Sequence, residues 1–449
     1  MGRFFTGICG VLALLASCRI PSPSSSWTVK IGEIGLKKGN RAFFERILKQ
    51  NIQKLFRSAL GHSAEPRVTV RSGRYYVETM AGETDVAAIL SRIPGIVAFS
   101  KAERVEKSME ALVAASVETA RRCLNEGMGT RFKFEIRRTD KSLPLDSYGY
   151  ARELGSAVGE ALPELSVDVR NPDFTLKVEL REQAYIYGRQ HRGVGGLPVG
   201  TGGRGLLLLS GGIDSPVAGF LMAKRGVSLR AVHFHTPPFT SAESHEKVVR
   251  LAGILGTWCG GIVLHSIPFT DCQVAINRAV DPSATTLHSR ACMMQIADRL
   301  ARKHRCGALI TGEALGQVAS QTMESLGFTD RASVLPVFRP LLGMDKEDII
   351  RQSRAIGTYD TAIEPFDDCC TIFSPERPLT RPNAEETWAA HDGIEGLDEL
   401  MNEAIAASRL VRIDPSGRVQ ADALDPPSEE DPFESPLEEE DDPLRESLT

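Results

Sequence analysis

Six consecutive residues, Ser210-Gly211-Gly212-Ile213-Asp214-Ser215, have the composition of an anion-binding loop. Gly211 and Gly212 carry no side chain and let the backbone approach a phosphate closely. Ser210 and Ser215 add hydroxyl donors. The run follows the apolar stretch Leu206 to Leu209 and precedes Pro216, a residue favoured in the first turn of a helix. A helix opening there points its unpaired N–H groups and the positive end of its dipole at the loop. The chemistry implied is the holding of a nucleotide pyrophosphate. The loop has neither the lysine of a P-loop nor the spacing of a dinucleotide fingerprint. Asp214 can cap the helix and is also expected to orient the pyrophosphate through Mg²⁺.

A second chemistry-bearing feature is the vicinal pair Cys369-Cys370, which follows Pro365 and two acids. Two neighbouring thiols in a polar segment suit sulfur carriage, where a thiolate must be accessible. Adjacent cysteines form a disulfide only with strain. Cys123, Cys259, Cys272, Cys292 and Cys306 read instead as small buried hydrophobes. The chain has nine cysteines and no Cys-x-x-Cys. That argues against a zinc ribbon, a thioredoxin-type pair and an iron–sulfur cluster held by such a pair, and no protein-held metal centre is expected.

The elements around the loop alternate. Apolar strands are predicted over 206–209, 227–235, 262–267 and 308–311, and helices over 216–224, from Ser241 to about Gly256, and over 292–303. Strands and helices in turn imply a doubly wound parallel-sheet α/β domain over 204–383, in which ligands bind at the carboxyl ends of the strands. Ahead of it, a strand from Trp27, a helix capped by Asn40, a hairpin over 67–77, a helix over 84–92 and a strand over 96–100 give a ferredoxin-like order. A long helix over 105–128, a strand over 131–138, a helix over 147–162 and a hairpin over 173–187 make a second α+β unit. The expected domains are 27–83 and 84–190, with a flexible glycine-rich linker over 191–203. Residues 384–449 are expected to be a largely disordered tail with a weak helix over 397–407.

Ser-Gly-Gly-x-Asp-Ser is the signature of the PP-loop ATP pyrophosphatases. From about Val29 to Pro382 the chain resembles the tRNA uridine 4-sulfurtransferases, the 4-thiouridine synthetase (ThiI) family. The resemblance rests on Gly32-Glu33-Ile34-Gly35-Leu36-Lys37, Leu197-Pro198-Val199-Gly200, the loop with Pro216-Val217, His233-Phe234-His235-Thr236-Pro237-Pro238, Thr311-Gly312-Glu313, Gly316-Gln317-Val318-Ala319-Ser320-Gln321, Gly343-Met344-Asp345-Lys346 and Asp368-Cys369-Cys370. It implies that ATP is held by Leu208, Leu209, Ser210, Gly211, Gly212, Asp214, Ser215, His233, Phe234, Arg290, Gly312 and Gln321. It makes Cys370 the persulfide carrier and Cys369 a candidate resolving thiol, with Asp214 in the adenylating centre. Residues 84–190 resemble a THUMP domain, and Arg137, Arg138, Lys141 and Arg170 are expected to grip phosphates of a tRNA acceptor arm. The reaction implied is adenylation of uridine 8 at O4, loss of pyrophosphate and replacement of the oxygen by sulfur.

Long members of this family add a rhodanese domain with its own cysteine. No cysteine follows Cys370, so the expected sulfur donor is a cysteine desulfurase or a separate rhodanese, and a role in thiamine synthesis is in doubt. A homodimer is compatible with this reading. The alternatives are a PP-loop ligase or amidotransferase acting on a small metabolite, and a non-catalytic RNA-binding protein.

The net charge of −5 hides an asymmetry: Asp425 to Thr449 holds eleven acidic residues against Arg445 alone. The rest is mildly basic, as RNA binding asks. Residues 1–26 resemble a lipoprotein signal ending in Leu15-Ala16-Ser17-Cys18. Because everything downstream uses ATP, the expectation is an over-long start and a cytoplasmic enzyme that does not engage a membrane.

Overall fold

The structure, a computed structural model, describes residues 25–71, 74–139, 141–366 and 375–420. Cys369 and Cys370, residues 1–24 of the leader and residues 421–449 of the tail lie outside the described residues.

Two sheets organise these residues. The first comprises β1 (Ser25–Ile31), β2 (Arg67–Arg71), β3 (Arg74–Thr79), β4 (Ile96–Val105), β5 (Arg131–Arg138), β6 (Ser166–Val167), β7 (Phe174–Leu180), β8 (Ala184–Tyr187) and β9 (His191–Arg192). Their order is β2-β3-β1-β4-β8-β7-β5-β6, with β9 also paired to β4. α1 (Arg41–Leu60) and α2 (Glu83–Ser91) cover one face of β1 to β4, and α3 (Met109–Asn125) and α4 (Ser147–Ala161) cover β5, β7 and β8. Alternation decides the faces. Trp27 and Val29 point into the α1 core, while Thr28 and Lys30 point the other way.

This sheet corrects two expected boundaries. Val86, Ile89, Leu90, Ile96 and Phe99 are buried in the α1 core, so residues 84–100 belong to the ferredoxin-like unit and not to the one after it. β4 is long enough to serve both units: it pairs with β1 through Ala102 and with β8 from Glu103 to Val105. Residues 191–203 are docked, not a free linker. Gly193 and Gly195 donate to the carbonyls of Val97 and Ile96, and Gly200 donates to that of Gly226. A Cβ on Gly196 would lie 2.0 Å from the Lys224 carbonyl oxygen. Those glycines therefore serve close approach.

The second sheet comprises β10 (Arg204–Leu208), β11 (Ser228–His235), β12 (Ile262–Pro268), β13 (Ala308–Ile310), β14 (Val337–Phe338) and β15 (Arg409–Ile413). Its order is β14-β13-β10-β11-β12-β15, parallel except for β15. α5 (Asp214–Lys224), α6 (Ala242–Cys259) and α10 (Lys346–Ile356) pack on one face, and α7 (Thr270–Ala279), α8 (Thr285–Lys303) and α9 (Met323–Asp330) on the other. The chain winds from β10 outward to β12, then restarts at β13 on the other side of β10. That reversal opens a crevice at the carboxyl end of β10.

The end of the chain corrects a third expectation. Residues 384–413 are not tail. α11 (Ala384–Asp392) and α12 (Leu397–Ala406) bury Trp388, Leu397 and Met401 in the α8 core, and β15 runs antiparallel to β12 as the edge of the sheet. Leu397, Leu400, Met401, Ala404 and Ile405 do recur at helical spacing, as the helix expected over 397–407 requires, but residues 384–392 show no such period.

Candidate functional site

At the crevice, Leu209 donates its N–H to the Val232 carbonyl (2.8 Å), and the chain then leaves the sheet. The Ser210 N–H donates to Ser215 Oγ (2.9 Å), and the two hydroxyl oxygens stand 3.1 Å apart. The Gly212 N–H reaches back to Ser210 Oγ (3.4 Å). The six residues thus close into a small ring at the first turn of α5, whose N-terminus has no side-chain cap. An uncapped helix start at a strand's carboxyl end is an anion site.

The glycines divide into two kinds. Neither Gly211 nor Gly212 has a positive φ. A Cβ on either would make only ordinary contacts, 3.6 Å to Lys247 Cδ or to Ser210 Oγ. The protein's own packing does not demand glycine there, and what the missing side chains leave open is room for a ligand. Gly312 differs. A Cβ on it would stand 2.7 Å from the Ser215 nitrogen and 2.8 Å from Ser215 Cα. Gly312 lets the segment after β13 lie against the first turn of α5.

That segment, Thr311 to Gln321, gathers the rest of the crevice. Gln317 Nε2 donates to Asp214 Oδ2 (2.8 Å), and Lys346 Nζ donates to Asp214 Oδ1 (2.7 Å). Glu313, buried, pairs with Arg290 and with Arg339 (2.7 Å) and accepts from Thr311 Oγ1 (2.8 Å). Desolvation would raise its carboxyl pKa, but Arg290 and Arg339 outweigh it and leave it below the usual range. Gln321 Oε1 accepts from the Ala314 N–H (3.3 Å). Arg290, Gly312 and Gln321, distant in sequence, are therefore brought to one loop. Lys346 and Gln317 lie in motifs that the sequence singles out, but only the fold connects them to Asp214.

On the other side of the loop, His233 Nδ1–H donates to the Leu209 carbonyl (3.1 Å), fixing the tautomer and leaving Nε2 as an acceptor. Leu208 ends β10 half-buried beside Leu209. Phe234 points to the opposite face of β11 and packs edge-on against Phe269 (5.4 Å) in the core, so its side chain supports the site from behind. The His235 and His245 rings complete a cluster with His233. Burial, then His233, His245 and Arg409, pushes His235 down to about 4, so the His235 ring is neutral at pH 7.

The expected RNA contacts are divided. Arg137, Lys141 and Arg170 are exposed. Arg138 instead donates to the Leu145 carbonyl (2.6 Å) and holds the loop before α4. Arg137 belongs to a larger basic face on the helix-free side of the first sheet. There Lys30 on β1 and Lys177 on β7 both donate to Gln190 Oε1 (3.2 and 3.1 Å). Arg74 binds the buried carboxylate of Glu179 (2.7 Å), which also takes Tyr187 Oη–H and Arg181. Tyr76 and Tyr185 stack at 4.4 Å alongside. Desolvation, then Lys177, Arg74 and Arg137, pushes the Lys30 ammonium down to about 8. Lys30, Arg74, Lys177 and Gln190 escape sequence reasoning because strand pairing across both units assembles them.

Cys123, Cys259, Cys272, Cys292 and Cys306 are all buried, and burial raises Cys123 to about 11 and Cys259 to about 12. Buried thiols of this kind pack as small apolar groups. Among the described residues no group of His, Cys, Asp and Glu could hold a metal ion. None of the helices among them is long and apolar enough to cross a membrane.

Three family models match consecutive stretches: the ThiI ferredoxin-like domain over residues 26–100, the THUMP domain over 106–188 and the thiamine biosynthesis protein ThiI over 200–395. A probable tRNA sulfurtransferase of Macrococcus caseolyticus is 43% identical over 382 residues, 84% of this chain and 93% of that protein. One from a Thermoanaerobacter species is 44% identical, over 82% of this chain and 94% of its own. Among solved structures, a 4-thiouridine synthetase in complex with RNA and bound ATP superposes with a TM-score of 0.81 at 36% identity, over 87% of this chain and all of that one. PH1313 from Pyrococcus horikoshii gives 0.59 at 27% identity, over 74% and 99%.

Proposed function

The chain belongs to the ThiI family of tRNA sulfurtransferases, and from that premise we propose how its residues make 4-thiouridine in tRNA at the expense of ATP. The observation that carries the reading is the Ser210–Ser215 ring at the uncapped start of α5, with Asp214 held by Lys346 and Gln317.

ATP binds with its phosphates on the ring and its adenosine toward Leu208, Leu209 and His233. Asp214 would be the carboxylate to hold a Mg²⁺ accompanying the phosphates, and the ion would neutralise phosphate charge there. The basic face around Arg137, Lys141 and Arg170 holds the acceptor arm and presents uridine 8. Uracil O4 attacks the α-phosphate and pyrophosphate leaves against the ring's amides and Lys346. The chain supplies position and fixed charge in this step. The adenylated oxygen is then a good leaving group at C4. The terminal sulfur of a Cys370 persulfide displaces it at C4, AMP departs with the oxygen, the Cys369 thiolate attacks Cys370 Sγ to free the thiouridine, and a thiol reductant opens the resulting Cys369–Cys370 disulfide. A cysteine desulfurase or separate rhodanese reloads Cys370, in the cytoplasm.

The test is nucleoside mass spectrometry of tRNA from a strain lacking this gene, complemented with the wild type, Asp214→Ala, Cys369→Ser or Cys370→Ser. The deletion is expected to remove 4-thiouridine, and neither Asp214→Ala nor Cys370→Ser to restore it. Retention of 4-thiouridine in the deletion strain overturns the reading. Full restoration by Cys370→Ser overturns the sulfur assignment.

A further inference from the structure

Two leucines stand at the surface beside the side chains that hold Asp214. Leu315 is 47% exposed and Leu342 is 40% exposed. Their neighbours Ala314 and Leu341 are buried in the core shared by α5 and α10, so at both places the chain turns one apolar residue in and the next one out. The Leu315 N–H donates to the Leu342 carbonyl (3.2 Å), and this bond holds the two turns together. Each turn then leads into the site. Two residues beyond Leu315, Gln317 Nε2 donates to Asp214 Oδ2 (2.8 Å). Four residues beyond Leu342, Lys346 Nζ donates to Asp214 Oδ1 (2.7 Å). Gly316 permits the first turn with a left-handed φ of +73°. The apolar pair is therefore continuous with the mouth of the Ser210–Ser215 loop, across β10 from His233.

Single exposed leucines are ordinary on a protein surface, but a joined pair at the mouth of a site leaves apolar area that a ligand can cover. ATP does not cover it in the arrangement above. Its phosphates take the ring, and its adenosine lies toward Leu208, Leu209 and His233, on the other side of β10. The second substrate has the right chemistry. A uracil whose O4 is to reach the α-phosphate must leave the tRNA stack, and its two flat, weakly polar faces then lose their neighbours. Bases taken out of a stack are held by side chains packed on those faces. We propose that Leu315 and Leu342 form the platform on which the extruded uracil of uridine 8 rests while its O4 faces the nucleotide. The inference rests on adenylation of uridine and adds the place where the base is held. Packing on a face leaves O4 at the ring's edge free to react, which a hydrogen-bonding residue in the same place would not.

The test uses the full chain, ATP and an unmodified tRNA transcript, with Leu315→Asn, Leu342→Asn, both asparagines together, and Leu315→Met with Leu342→Met. Asparagine keeps a branched shape and removes the apolar face, and methionine keeps an apolar one. The double asparagine variant is expected to lower kcat for tRNA-dependent pyrophosphate release about tenfold. The KM for ATP, and tRNA affinity read by fluorescence anisotropy, should each change less than about twofold, because phosphate contacts elsewhere carry the RNA. The double methionine variant should keep most of the wild-type kcat. A tRNA in which the base paired with uridine 8 is replaced by an abasic site has a freer uridine. With it, the gap between wild type and the double asparagine variant should narrow to less than about threefold. A purely structural role predicts no such rescue. An unchanged kcat in the double asparagine variant overturns the proposal. So does a loss that the abasic tRNA leaves as large, or one matched by an equal rise in the KM for ATP. Loss of a dimer in that variant, read by light scattering, would give the patch to a second copy of this chain and also overturns it. If the double asparagine variant does not fold, the two single variants with both tRNAs decide the matter. Failure of the function itself looks different, because the wild type then releases no pyrophosphate with tRNA.

Discussion

Lys346 Nζ sits 2.7 Å from Asp214 Oδ1, joining the start of α10 to the start of α5 at the mouth of the Ser210–Ser215 loop. Two helix N-termini meet there, and each repels a cation. The lysine is 42% exposed and its partner 21%. An exposed pair of this kind contributes about 0–1 kcal/mol to folding. Its place is better explained by chemistry than by stability.

Lys346→Met should therefore leave the melting temperature nearly unchanged and slow tRNA-dependent pyrophosphate release by about a hundredfold or more, the usual cost of removing one fixed group that stabilises developing charge. Thermal unfolding and a pyrophosphate assay on the same preparation check it. Parallel losses of stability and rate would make the pair a structural one.

The glycines give a sharper contrast. Gly211→Ala meets no clash in the chain itself, so the variant should fold with wild-type stability and lose ATP binding, because it stiffens and thickens a loop whose backbone must approach the phosphates closely. Gly312→Ala drives a methyl into the Ser215 backbone, which has no side chain to yield, and should cost about 1–3 kcal/mol of stability. Calorimetric ATP titrations beside denaturant unfolding distinguish the two. An alanine at 211 that still binds ATP would remove the ligand from that spot.

How far the sequence could be read follows from range. The loop was legible because all its determinants are neighbours: the apolar strand, two glycines, two serines and Pro216. The contacts of Asp214 were not, since Lys346 lies 132 residues away and no local pattern ties them. Arg290 and Gln321 were reached through family resemblance, and only the Thr311–Gln321 segment gives them a shared physical context. The glycines of 191–203 misled because glycine marks both flexibility and close approach, and the second applies here: a Cβ on Gly193 would fall 2.2 Å from the Ile96 carbonyl oxygen. β15 was invisible because an edge strand of five residues gains its stability from β12, not from its own period.

Truncation tests that last point. A chain ending at Pro382 loses Trp388, Leu397, Met401 and Ile413, all buried, and the hydrogen bond from Trp388 Nε1 to the Phe328 carbonyl (3.1 Å). At about 1.5–3 kcal/mol per large apolar side chain, the loss rivals the whole stability of a domain. It should be insoluble or unfolded. A chain ending at Gln420 keeps every contact described for this segment and should melt with the full chain.

The basic face makes a prediction with two signs to check. Lys30 and Lys177 point at one amide oxygen, Gln190 Oε1, beside Arg137. If a phosphate of the RNA lies there, Lys30→Met and Lys177→Met should each weaken tRNA binding and flatten the plot of log affinity against log salt by about one unit. The pH dependence follows from crowding. In the free protein, Lys30 is held down to about 8 by desolvation and by neighbouring cations. A bound phosphate favours the charged form and raises that pKa, so binding takes up a proton. Affinity should then be constant below pH 7, fall as pH rises through 8, and level off above the pKa of the bound state. Lys30→Met should abolish that fall. Fluorescence anisotropy with labelled tRNA from pH 6.5 to 9.5 reads both effects, and an unchanged pH profile in Lys30→Met would place the phosphate elsewhere on the sheet.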